Sequence, residues 1–287
     1  MPEAEPKLFE FHAGAARELS IPGGPAGLER CLQFLPDRVY EALRTRGQAR
    51  FFRLEQHCAR AEQGCASAGL PPFDEDALRQ GLDATTRAYG HEAKVRIDLC
   101  AKPAEELGAR TRTLYSFRPL VLPSPQVYAS GVAVRIADGL ERSAPEVKGT
   151  AFIAARAARP KLEDDYESIL VDREGLLLEC VMSNLFLVQG NCLRTAGHGV
   201  LPGITRETVL AAGRALGMQV REEAVHRDEV GAMDEAFLTT SVRGLVPIVR
   251  IDGAPVGEGL PGPWTARLAA AYAAEVERGS WPAWPRR

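Results

Sequence analysis

Lys148 stands in Pro145-Glu146-Val147-Lys148-Gly149-Thr150-Ala151-Phe152, an amine placed just before a mostly apolar stretch. Partial burial of an amine lowers its pKa and makes it nucleophilic. Lysine occurs at Lys7, Lys94, Lys102, Lys148 and Lys161, and arginine supplies the rest of the 35 basic residues. Codon bias explains that ratio, yet it leaves amine chemistry few places to sit. Glu179 lies within Leu176-Leu177-Leu178-Glu179-Cys180-Val181-Met182. A carboxylate in so apolar a strand is costly to bury without a cationic or protonated partner. Strand alternation equally allows Glu179 to face solvent or an arginine.

Two further segments suit an anion. Leu201-Pro202-Gly203-Ile204-Thr205-Arg206-Glu207 sets a Pro-Gly turn before an amphipathic helix, whose first N–H groups can hold a phosphate with the Thr205 hydroxyl. Ordinary capping by Thr205, Thr208 or Glu207 fits the same residues. In Phe237 to Pro247, a strand runs into Thr239, Thr240 and Ser241 and then a glycine-containing loop, which suits either anion binding or a polar turn. His57 and Arg60, three apart on a helical pattern, project to a similar side. Arg60 there is either a bidentate phosphate clamp or a surface arginine.

The elements that must position these groups follow from periodicity. Leu35–Thr45 and Ala93–Cys100 are short, apolar and partly alternating, whereas Phe52–Ala68 and Glu75–Tyr89 carry helical spacing. The pattern predicts an α+β fold. A proline-bearing stretch, residues 119–125, reads as a linker between a small N-terminal domain (residues 1–118) and a larger C-terminal one (residues 126–287) carrying Lys148. Beyond it, Gln126–Ile136 reads as a strand, Thr150–Ala158 as a helix, and Glu167–Asp172 and Leu176–Val188 as a hairpin turning at Asp172–Gly175. Helices are expected at Thr205–Leu216 and Pro263–Arg278.

With 45% hydrophobic and 25% charged residues, the 287-residue chain has the composition of a soluble globular protein. No stretch approaches the roughly 18 apolar residues of a membrane span. A net charge of −3 offers no basic footprint for nucleic acid. The six cysteines form no CxxC or Cys/His ligand spacing. They read as reduced, buried thiols in a cytoplasmic protein without a metal site.

In type, order and spacing these pieces resemble the fold-type IV pyridoxal-phosphate family, the class IV aminotransferases. The group includes branched-chain and D-amino-acid aminotransferases and aminodeoxychorismate lyase. The likeness runs from about Leu35 to Ile251. It is most specific from Glu179 through Asn184-Leu185-Phe186 to the Leu201–Arg206 signature. It implies a two-domain fold with pyridoxal 5′-phosphate at the domain interface. Lys148 would form the Schiff base and move the substrate Cα proton, while Glu179 keeps the pyridine nitrogen protonated.

By the same resemblance, Arg60, the Ile204 and Thr205 N–H groups, the Thr205 hydroxyl and Ser241 hold the phosphate. Leu201 packs on the ring, and Asn184 belongs to the cofactor site. Tyr40, Arg96, Val242 and Arg243 are the candidates to meet substrate. Three places depart from the family pattern: no glycine-rich segment appears in Gly24–Asp37, Phe152-Ile153 replaces Asn-Tyr, and Thr195-Ala196 replaces Thr-Pro. The implied reaction is transamination between an amino acid of branched-chain type and a 2-oxo acid, in a homodimer. Pyruvate elimination by an aminodeoxychorismate lyase, D-amino-acid transamination and a silent cofactor-binding scaffold are the alternatives.

Overall fold

Val95, Ile97 and Leu99 alternate with Lys94, Arg96 and Asp98 along one strand, which gives its sheet an apolar face and a charged one. The computed structural model containing that sheet describes residues 4–47, 49–140, 142, 144–149 and 165–284. The helix expected over Thr150–Ala158 lies outside the described residues.

The chain divides into two compact units. The first holds β1 (Lys7–His12), β2 (Ala15–Leu19), α1 (Leu28–Gln33), β3 (Arg38–Arg44), β4 (Arg50–Phe52), α2 (Leu54–Ser67), α3 (Glu75–Tyr89), β5 (Ala93–Cys100) and β6 (Thr113–Pro119). Its antiparallel sheet has the order β2-β1-β6-β5-β3. Val39, Leu43, Val95, Ile97 and Phe117 from the sheet pack with Leu54, Cys58, Ala61, Leu78 and Leu82 from α2 and α3. Asp74 caps α3 by accepting the Ala77 N–H, and Gly90 ends it in the left-handed region.

The second unit holds α4 (Pro125–Ser130), β7 (Val132–Ala137), β8 (Glu167–Val171), β9 (Leu176–Cys180), β10 (Asn184–Gln189) and β11 (Cys192–Arg194). The helix Ile204–Ala215 follows, then β12 (Gln219–Arg221), β13 (Val225–His226), β14 (Glu235–Thr240), β15 (Gly244–Ile251), β16 (Ala254–Pro255) and the helix Pro263–Arg278. Its sheet runs β12-β11-β10-β14-β15-β7-β8-β9-β13, and β9 also pairs with β10 through Glu179 and Asn184. That extra pairing bends the sheet into a closed ring around Val134, Ile169, Leu177, Leu185, Leu238, Val246 and Ile248.

Several expectations are corrected. Gln126–Ile136 is not one strand, because Ser124-Pro125 starts a short helix and Gly131, at φ 73°, ends it before β7. A Cβ at Gly131 would lie 2.4 Å from Val249, so glycine is required there on two counts. Leu176–Val188 is broken at residues 181–183, where β9 turns back toward β10. Val147–Gly149, with Lys148, group with the first unit, as do the described residues from Gly279 onward. The reasons are an antiparallel bridge from Gly149 to Val39 and the pairing of β17 (Ser280–Pro282) with β4. The two units meet in sequence between Val121 and Leu122.

Phe186 and Phe237 are fully buried neighbours on β10 and β14, their rings stacked with centroids 5.0 Å apart. Phe186→Ala is expected to lower stability by about 3 to 5 kcal/mol, the usual cost of deleting a buried aromatic ring. Denaturant unfolding followed by circular dichroism measures it.

Candidate functional site

Strand alternation turns Tyr40 and Ala42 to one face of β3, and Val39, Glu41 and Leu43 to the face covered by α2. Glu41 therefore enters the core as a carboxylate. Arg60 on α2 meets it with two donors, Nε to Oε1 at 2.9 Å and Nη2 to Oε2 at 2.6 Å. His57 Nδ1 lies 2.7 Å from Oε2. Burial alone would raise the Glu41 carboxyl, but the Arg60 guanidinium and the His57 hydrogen bond outweigh it and hold the group well below the usual carboxylate range. Burial pushes the His57 imidazole down. Arg60, read from sequence as a phosphate clamp or a surface residue, is buried and gives two of its donors to Glu41.

Lys148 is half-buried in the same unit. Its carbonyl accepts the Tyr40 N–H at 3.0 Å, and its Nζ lies 5.4 Å from the Tyr40 ring centroid. The Arg96 guanidinium lies 4.0 Å from that centroid. Tyr40, Lys148 and Arg96 thus form one cluster, with Asp98 behind it.

In the second unit, Glu179 closes the β9–β10 contact and is 2% exposed. Its Oε2 accepts from Asn184 Nδ2 and from the Leu201 N–H, each at 3.1 Å, and its Oε1 lies 3.4 Å from Arg142 Nε. Asn184 also donates to the Leu201 carbonyl at 2.9 Å. The helix Ile204–Ala215 begins at Gly203, which brings no capping side chain to its first turn. A Cβ at Gly203 would lie 2.1 Å from Asn184 Oδ1, so only glycine lets the chain approach this closely. The first-turn N–H groups of Ile204 and Thr205 precede the helical ladder and suit an anion. The Thr205 hydroxyl is 3.5 Å from Tyr272 Oη.

Ser241, Val242 and Arg243 form the tight turn between β14 and β15. Arg243 is ion-paired to the buried Glu167, lies 5.1 Å from the Tyr166 ring centroid, and accepts the Tyr128 hydroxyl at its carbonyl at 2.8 Å. Glu167 also accepts from Ser183 Oγ at 2.7 Å and the Met182 N–H at 3.0 Å.

Sequence reasoning missed Glu41, Asp98, Arg142 and Glu167. For Glu41 and Glu167 a signal existed, the same one that marked Glu179: a carboxylate on an otherwise apolar strand. Arg142 becomes significant only through a partner distant in sequence, and Asp98 joins Arg96 on its own strand to Arg38, 60 residues away.

As a test of the donor set, pyridoxal 5′-phosphate needs an amine, a carboxylate for its ring nitrogen and a cradle of N–H donors. Lys148, Glu179 and the glycine-started helix at Ile204–Thr205 supply those chemistries, so the residues present fit the group.

The family model for amino-transferase class IV matches residues 38–251. A Thermotoga maritima protein, "Probable branched-chain-amino-acid aminotransferase", is 32% identical over 245 residues, covering 82% of this chain and 84% of its own length. A Bacillus licheniformis D-alanine aminotransferase is 30% identical over 246 residues, 81% of this chain and 85% of that one. The crystal structure of a branched-chain aminotransferase from Thermoproteus uzoniensis, solved with norvaline, has the same fold, with a TM-score of 0.75 at 24% identity over 97% of this chain and 99% of that one.

Two expected outcomes follow from the Glu41 cluster. Arg60→Ala removes one partner of a buried pair and should cost about 3 to 5 kcal/mol of stability; chemical denaturation without added cofactor reads it apart from any effect on ligand. Below its ordinary pKa of about 6.5, the unfolded His57 binds a proton that the folded one refuses, so stability falls as pH drops from 7 toward the depressed folded value. Glu41 adds a further loss only at lower pH, as it falls through the depressed folded pKa of that carboxyl. His57→Asn keeps a donor to Glu41 without titrating, and thermal melts should show a flatter decline between pH 7 and 5 than in the parent.

Proposed function

We propose, from the premise that this chain belongs to the class IV aminotransferase family, that it moves an amino group from an amino acid of branched-chain type to a 2-oxo acid. Its cofactor is pyridoxal 5′-phosphate. When bound, that group is an electron sink that makes the substrate Cα–H acidic. The rest is the work of side chains. Lys148 is the residue that would hold the cofactor covalently, and its Nζ would take and return the substrate Cα proton. Glu179 holds a proton at the pyridine nitrogen, and Asn184 and the Leu201 N–H fix the carboxylate for that task. Ile204 and Thr205 bind the phosphate through backbone N–H groups and the Thr205 hydroxyl, joined by Ser241 and Arg60. Leu201 covers a ring face. Tyr40, Arg96, Val242 and Arg243 meet the substrate.

The observation that carries this reading is the buried Glu179, held by Asn184 and Leu201 just ahead of the glycine-started helix. The branched-chain donor is favoured by the 32% identity to the Thermotoga maritima relative. The D-alanine aminotransferase relative, at 30%, supports D-amino-acid donors as the second reading. Single-turnover reaction with individual L- and D-amino acids decides between them.

We place the protein in the cytoplasm as a homodimer. Free cysteines support the first, with burial pushing the Cys58 and Cys100 thiols up to about 12. Solvent-exposed Phe34 and Trp281 support the second, and sedimentation equilibrium tests it. Among the described residues no helix is long and apolar enough to cross a membrane.

Borohydride reduction followed by peptide mass spectrometry should find the cofactor fixed on Lys148, and Lys148→Ala should abolish the adduct. An adduct on another lysine in that variant rejects the assignment. Glu179→Gln should retain cofactor while slowing the amino-acid half-reaction by about 10² or more, the scale of a lost electrostatic stabiliser. Stopped-flow rates near the parent's, with normal cofactor content, would mean that Glu179 does not serve the ring.

A further inference from the structure

Asp98 is fully buried on β5, and two arginines share it. Arg38 Nε donates to Oδ1 at 2.8 Å. Arg96 Nε lies 2.9 Å from both carboxylate oxygens, and its Nη2 is 2.5 Å from Oδ1. Arg38 has other acceptors in the Leu32, Leu35 and Pro36 carbonyls. Arg96, by contrast, has Asp98 as its ion-pair partner among the described residues. The neighbouring Arg118 is engaged with Glu29 at 2.7 Å.

The Arg96 plane is stacked on Tyr40, the ring that also neighbours Lys148 Nζ. An arginine with an open fork beside a reactive amine would take a carboxylate bidentately. With Nε and Nη2 held by a buried aspartate, it presents mainly a flat, weakly hydrated surface. A second carboxylate arriving there would also meet the like charge of Asp98.

We propose that Asp98 is a specificity-determining positioning residue: by holding Nε and Nη2 of Arg96 it withholds the bidentate fork from the surface beside Tyr40 and Lys148, so that an apolar substrate side chain meets the flat face of the guanidinium and one ending in a carboxylate loses its paired donors. The term substrate rests on the transamination reading. Arg96, a candidate to meet substrate, then does so with its flat face.

The test uses the cofactor-loaded protein and two unreactive probes, 4-methylpentanoate and glutarate, which offer an apolar end and a second carboxylate. Calorimetry gives both dissociation constants. Asp98→Asn, which frees the fork, should shift their ratio toward glutarate by about tenfold, the equivalent of about 1.4 kcal/mol. Arg96→Met leaves Asp98 to Arg38 and should move the ratio by less than about threefold, roughly half of that free-energy change.

The proposal is overturned if Asp98→Asn weakens both probes equally or leaves the ratio in place. It is overturned too if Arg96→Met costs glutarate tenfold or more, since the fork would then be open to ligand. Should Asp98→Asn fail to fold, the Arg96→Met result still decides. Transamination by the same preparations is read separately. An active enzyme with an unmoved ratio rejects the role of Asp98 alone, and an inactive protein with a shifted ratio rejects the functional reading alone.

Discussion

A carboxylate taken out of water must be met by a cation or by several hydrogen-bond donors, because the residual cost of burying an ion is several kcal/mol. Glu41, Asp98, Glu167 and Glu179 are all buried, and much of the local architecture answers that constraint. Glu41 is met by Arg60 and His57, Asp98 by Arg38 and Arg96, and Glu167 by Arg243, Ser183 and the Met182 N–H. Glu179 is met by Asn184, the Leu201 N–H and Arg142. Arginine suits this work because its planar fork satisfies both carboxylate oxygens at once.

Each pairing also fixes a piece of backbone. Glu179 and Asn184 sit at the register pair where β9 meets β10, so the bond that satisfies the carboxylate stands where the ring of strands closes. Asn184 and Glu179 then hold Leu201, two residues before Gly203, and that glycine admits Asn184 Oδ1 where any side chain would collide. The start of the helix Ile204–Ala215 is thereby set relative to the buried carboxylate. The anion-suited N–H groups and the buried carboxylate are thereby joined in one hydrogen-bonded assembly.

In the first unit the same physics distinguishes the basic residues. Arg60 and Arg96 are engaged by buried acids, while Lys148 stands beside an aromatic ring and is held through its backbone to β3. Compact, strongly hydrated ammonium and delocalised guanidinium are not interchangeable in these positions. A guanidinium stays charged and serves structure or recognition.

By itself the sequence determined the α+β class, the strand Ala93–Cys100 and the helix Glu75–Tyr89, and it singled out Lys148, Glu179 and the Leu201–Arg206 turn as candidates for chemistry. Those features are local, since periodicity, capping residues and a carboxylate among leucines can be read within a few positions. The split of Gln126–Ile136 was also local in origin, yet apolar alternation masked Ser124-Pro125 and Gly131. Tertiary structure alone decided which arginine meets which carboxylate. Glu41 and Arg60 lie 19 residues apart, Arg38 and Asp98 60, and Glu167 and Arg243 76. No period or motif reports a partner at such distances, because the choice is made when packed strands remove the charges from water together. For the same reason sequence marked Arg60 as a candidate phosphate clamp and Arg243 as a candidate substrate contact, and only the fold revealed that each already holds an acid of the protein itself, whereas Arg96 meets Asp98 two residues along its own strand.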